Sequence, residues 1–184
     1  MLIFSHNLHC GLGVMRTTQT LVTILALILV HSPAHSAPPA LPGEVITISG
    51  ANLGGRNPVP VDPVAVSLGS PDWQPPKAGD KLTIPGGPVR TWAALPVKDG
   101  AFGIPPGGYA YMPVKSEAAR IVILHATGHS MVYVNGEPRV GDVYGNGYVR
   151  IPVLLREGVN DFLFAAGRGP VKAQLHEPKA AAEL

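Results

Sequence analysis

The chain has 184 residues, 46% hydrophobic and only 14% charged, with a formal net charge of +2. That length suits one domain with a substantial core, and near-neutrality without a basic cluster gives a nucleic-acid partner no electrostatic support. The 22 glycines and 20 prolines punctuate short apolar runs, a pattern of turns between strands rather than of low-complexity disorder.

Residues 15–37 carry the pattern of a secretory signal peptide. Arg16 supplies the positive start, Leu21 to Val30 the apolar segment, and Ala34-His35-Ser36-Ala37 a small-residue cleavage region. The apolar run is too short to cross a bilayer of ~30 Å as a helix. Met1 to Val14 adds nothing that a signal needs, which makes Met15 the expected start. The expectation is a secreted or periplasmic protein maturing near Ala37; an uncleaved segment, the alternative, would be its only membrane attachment. Cys10, the single cysteine, lies in this leader. A mature chain therefore has no thiol for disulfides, nucleophilic attack or metal binding.

After the leader (residues 1–36), the proline-rich stretch Ala37 to Gly43 reads as an extended lead-in. Strands are expected at Val45–Ile48, Val64–Leu68, Lys81–Ile84, Val89–Leu95 and Tyr109–Val114, with loops over Gly50 to Pro63 and Gly69 to Gly79. The best helical candidate, Ser116 to Ala119, is only one turn. Arg120 to His125 is apolar at both parities, as in a strand buried on both sides. Met131 to Val134 is a strand running into an Asn135-Gly136 turn, which requires positive φ at both positions. From Tyr148 to Leu155, Val149, Ile151, Val153 and Leu155 share one face, while Pro152 assigns the strand to an edge or a bulge. In Val171 to His176 the alternation is complete. The predicted fold is all-β, a two-sheet antiparallel β-sandwich over residues 44–176, with 177–184 as a tail or the start of a linker.

Val132-Tyr-Val-Asn-Gly-Glu137, a Gly/Tyr-rich loop, a strand ending Leu154-Leu155, then Gly158-Val159-Asn160 and a last apolar strand form a familiar succession. It resembles the galactose-binding-like jelly rolls, in particular the sugar-binding domain of β-galactosidase- and β-glucuronidase-type enzymes. The likeness covers roughly Tyr109 to Leu175. Secretion signal followed by such a module is also similar to the N-terminal part of some secreted bacterial hydrolases. The resemblance implies a jelly roll and a catalytic hydrolase domain as partner.

Gly128-His129-Ser130-Met131 begins like a nucleophile elbow, but Val132 stands where a small residue is needed and a strand follows instead of a helix. Ser130 is expected in a hairpin turn and without catalytic role. His125 and His129, at a strand end and in a turn, do not suit a shared metal. Asp62, Asp72, Asp80 and Asp99 are explained by turn chemistry. No cofactor or metal is expected. In the loop Gly141 to Tyr148, Asp142, Tyr144, Asn146 and Tyr148 combine aromatic faces with hydrogen-bonding side chains, the ingredients of a carbohydrate site. They are equally the ingredients of a sharp loop. Trp73 is a further candidate for an exposed sugar platform; Trp92 is expected in the core. The functional expectation is a non-catalytic accessory module of a larger hydrolase, used for docking or weak glycan binding. A free-standing secreted carbohydrate-binding protein is the alternative.

Overall fold

The computed structural model describes residues 37–51 and 61–180. The leader, part of the expected Gly50 to Pro63 loop, and the end of the tail lie outside the described residues. Twelve strands and one short helix follow one another in the described chain. One sheet has the order β4-β1-β6-β11-β8-β9, formed by Ala93–Pro96, Glu44–Ile48, Tyr109–Ser116, Gly158–Ala166, His129–Val134 and Glu137–Val140. The facing sheet has the order β10-β7-β12-β5, formed by Arg150–Leu155, Arg120–Thr127, Val171–His176 and Ala101–Phe102. Every pairing is antiparallel, and the expected two-sheet sandwich is present.

The pairing is nested. The β8–β9 hairpin lies inside the β7–β10 pair, which lies inside β6–β11, which lies inside β5–β12. Successive pairs alternate between the two sheets, so the strands from β5 onward wind as one folded ribbon.

Period-two alternation builds the core between the sheets. Ala110, Met112 and Val114 of β6, Val132 and Val134 of β8, and Phe162 and Phe164 of β11 meet Val122, Leu124 and Ala126 of β7 and Val171, Ala173 and Leu175 of β12. Phe102 packs edge-on to Phe164 at 5.6 Å between ring centres. Burying such side chains is worth about 1.5–3 kcal/mol each.

The segment between β1 and β4 departs from expectation. Val64–Leu68 is not a strand but part of α1 (Pro63–Leu68). Asp62 caps it, its Oδ1 accepting from the amides of Val64 and Ala65, and Pro63 occupies the first turn, where the missing N–H costs nothing. Val89–Leu95 is likewise two strands, β3 (Val89–Thr91) and β4, separated at buried Trp92; β3 pairs with β2 (Lys81–Thr83). Ser116 to Ala119 is no helix: Ser116 ends β6 and its hydroxyl donates to the Ala118 carbonyl.

Helix α1 and the β2–β3 hairpin cover the outer face of the six-stranded sheet. Val64, Ile84 and Trp92 form a second cluster there with Ile48, Tyr109, Tyr111 and Leu163. Tyr109 donates to Asp62 Oδ2, tying the helix cap to β6. This layer corrects another expectation. The strand buried on both faces is β6, whereas Ile121, Ile123 and His125 of β7 are only half-buried, because the outer face of the four-stranded sheet faces solvent. Lys172, Gln174 and His176 are exposed on that same face, and β10 with its Pro152 is an edge strand as expected.

The Asn135-Gly136 turn has φ of 51° and 85° at its two residues, as the hairpin requires. A β-carbon at Gly136 would meet no atom within 4 Å, so its cost comes from backbone conformation alone. Gly136→Ala is expected to lower stability by about 1 kcal/mol in chemical denaturation. Equal midpoints for parent and variant would contradict the turn assignment.

Candidate functional site

The loop that joins β9 to β10 is held from within. Gly141 lies so close to β8 that a β-carbon would fall 2.2 Å from the Ser130 carbonyl carbon, so only glycine lets the chain pass. The buried Asp142 then collars the loop: Oδ1 accepts from the Asn146 amide at 3.0 Å and Oδ2 from the Gly147 amide at 2.9 Å. Its carbonyl accepts from the Gly145 amide at 3.0 Å. His125 Nε2 lies 3.0 Å from the Gly147 carbonyl, and since a carbonyl only accepts, that nitrogen carries the proton. Both carboxylate oxygens of Asp142 are thereby committed to the loop's own backbone.

The aromatic side chains of the same loop are left outside. Tyr144 is 75% exposed and Tyr148 85%, and Asn146 is exposed as well. Of the residues proposed from sequence for this loop, Tyr144, Asn146 and Tyr148 present side chains to solvent, and Asp142 holds the loop backbone at Gly145 to Gly147.

Trp73 belongs elsewhere. It is half-buried in a groove of about 390 Å³ between α1, the loop that follows it and the β2–β3 hairpin. Trp92 contributes another wall, and none of residues 141–148 lines the groove. Asp72, Gln74, Asp80 and Lys81 bring polar groups to it; in the sequence Asp72 and Asp80 are explained by turn chemistry, and Gln74 and Lys81 are not singled out. The available signal was Ser70-Pro-Asp-Trp-Gln-Pro-Pro76, a tryptophan bracketed by prolines that stiffen its flanks.

Ser130 and His129 depart from their expected turn. Both lie in β8, after Gly128 at φ 77°. Ser130 is the extra residue of a bulge, since Ala165 pairs with Met131 and Ala166 with His129. His125 and His129 belong to different sheets, and among the described residues no three His, Cys, Asp or Glu side chains are grouped to hold a metal. His129 is 1% exposed, packed edge-on to Phe164 at 5.4 Å, and neither ring nitrogen makes a well-formed hydrogen bond among the described residues. Burial lowers its pKa; the nearby Thr127 backbone and Asp142 charge act the other way and offset this only in part.

Two phenols on the covered face of the six-stranded sheet are perturbed in the opposite sense. Burial pushes the Tyr111 pKa up, reinforced by its 2.8 Å hydrogen bond to Asp161, and burial with the charge of Asp62 raises that of Tyr133. The Tyr111 hydroxyl thus ties β6 to its neighbour β11, and both phenols stay protonated at neutral pH. Among the described residues no helix is long and apolar enough to cross a membrane. No family model matches the chain, and no curated protein or solved structure matches it either.

Proposed function

We propose that this chain is a secreted, non-catalytic accessory module of a larger hydrolase, of the galactose-binding-like jelly-roll kind, and that it engages glycans weakly through the Gly141 to Tyr148 loop. The nested order of strand pairs supports the jelly-roll reading. The observation that carries the binding reading is the pair of exposed tyrosines on a loop whose backbone is pinned by Asp142. Tyr144 and Tyr148 contribute little to the core, so the fold gains little by keeping large apolar rings in water. A pinned loop also loses little conformational freedom when a ligand settles on it. Sugar C–H faces stack on such rings, and Asn146 can exchange hydrogen bonds with hydroxyls. The non-catalytic reading is supported by the placement of Ser130 in a strand bulge and by the engagement of Asp142 with backbone amides.

A glycan array followed by calorimetry tests this. At least one glycan should bind, and Tyr144→Ala and Tyr148→Ala should each weaken binding by roughly three- to tenfold, the value of one aromatic contact. Unchanged affinity in both variants would remove the loop from the proposal. Turnover of peptides, esters or glycosides by the purified chain would overturn the non-catalytic reading.

A further inference from the structure

The groove beside Trp73 is a second site, separate from the tyrosine loop, and we infer that it binds a short neutral saccharide. It is built by α1, the loop after it and the β2–β3 hairpin, all inserted between β1 and β4 and therefore outside the nested ribbon of strands. These elements have a structural duty, covering the outer face of the six-stranded sheet, but that duty does not require a groove. Protein layers ordinarily pack at crystal-like density, and an opening of about 390 Å³ is within the range of small-molecule sites.

The walls are firm. Val64 and Trp92 are buried, and Pro76 is buried beside them. The turn beneath is fixed by Asp80 Oδ2, which accepts from the Lys77 amide at 2.7 Å, and by the Asp80 carbonyl, which accepts from the Trp92 amide at 2.9 Å. Ser70 Oγ likewise accepts from the Asp72 amide at 3.2 Å. By contrast, the side chains of Asp72, Gln74 and Lys81 make no hydrogen bond or ion pair among the described residues.

The chemistry of the lining selects the ligand. A cation would suit tryptophan and two carboxylates, but it would meet Lys81. An anion would meet Asp72 and Asp80. A purely aliphatic ligand would strip water from four polar side chains without replacing their hydrogen bonds. A neutral polyhydroxyl ring satisfies all of them: its hydroxyls donate to the carboxylates and the Gln74 oxygen, accept from Lys81 and the Gln74 amide, and its C–H face lies on Trp73.

The chain has two tryptophans, and both line this groove. Tryptophan emission therefore reports on the groove and not on the tyrosine loop. The purified chain is titrated with xylohexaose, cellohexaose, a β-1,3-linked glucohexaose and chitohexaose, with choline as the cationic control. At least one saccharide should shift or quench the emission saturably, with little dependence on salt. Trp73→Phe should retain most of the affinity by calorimetry, Trp73→Ala should lose about tenfold, and Tyr144→Ala should leave it unchanged. Should Trp73→Ala melt early, the exposed Gln74→Ala carries the test with an expected loss of several-fold. No emission change with any of the four saccharides, a response to choline alone, or parental affinity in both Trp73→Ala and Gln74→Ala would overturn the assignment. Loss in the Tyr144 and Tyr148 variants with no tryptophan response would leave the loop reading standing and this one refuted.

Discussion

Asn160→Asp is expected to cost about 3 kcal/mol or more, the penalty for setting a buried carboxylate against carbonyl oxygens. Asn160 is fully buried where the turn after β10 enters β11. Its Nδ2 donates to the Arg156 carbonyl at 2.9 Å and, at longer range, to those of Gly158 and Val114. Its Oδ1 accepts from the Arg156 amide at 2.8 Å and from Asn135 Nδ2 at 2.9 Å. Asn135 in turn exchanges backbone and side-chain bonds with Asp161: the Asn135 amide donates to the Asp161 carbonyl at 2.8 Å, and the Asp161 amide to Asn135 Oδ1 at 3.0 Å. The aspartate variant keeps the shape but replaces a donor by a charged acceptor facing three carbonyls. Its folded carboxyl would be held above the usual carboxylate range, so the deficit relative to parent should be largest at neutral pH and shrink toward pH ~4, where protonation restores one donor. Urea unfolding of parent and variant at matched pH measures this. A variant within 1 kcal/mol of parent at pH 7 would show that Asn160 is not the junction described here.

That junction also explains which parts of the fold were legible in the sequence. The Asn135-Gly136 turn and the Gly158-Val159-Asn160 turn look like two separate pieces of turn chemistry when read along the chain. In space they are one unit, with Asn135 and Asn160 hydrogen-bonded to each other. Strands whose alternation serves the core between the sheets, such as Val171 to His176, could be read directly. Misreadings cluster where a strand is covered on its second face or where a local cap overrides propensity. Val64–Leu68 is rich in β-branched and apolar residues, yet Asp62 and Pro63 begin a helix there, with Val64 and Leu68 packed in the second cluster and Val66 left exposed. Trp92 lies in the core, as expected, but it separates β3 from β4 instead of lying within one strand.

The site residues divide along the same line. Exposure of Tyr144 and Tyr148 follows from local sequence, since a Gly-rich loop has no core to offer them. The role of Asp142 could not be read, because its partners are amides four and five residues ahead, recruited only once Gly141 has brought the loop against β8. The groove beside Trp73 was hidden for a comparable reason. Val64, Leu82 and Trp92 come from separate elements, and only the packing of the inserted layer assembles them.

His129 gives the second large effect. Its two ring nitrogens are buried without a well-formed partner, so the folded protein resists a proton that the unfolded chain takes up near pH 6.5. The folded pKa lies below the unfolded one. Stability contributed by the neutral ring is therefore fully present above about pH 6.5 and is lost as pH falls from there toward the folded pKa. Over that window a single proton changes stability by at most about 1.4 kcal/mol per pH unit. His129→Leu removes the titrating group and two unsatisfied nitrogens while keeping an apolar contact with Phe164. The variant should match or exceed parent stability at pH 7.5 and lose markedly less between pH 6.5 and 5. Every other histidine is common to both proteins, so the difference between their two pH profiles isolates His129. Parallel profiles in urea unfolding would mean that the charge of Asp142 offsets the cost of protonating the buried ring, and that its burial carries no acid penalty.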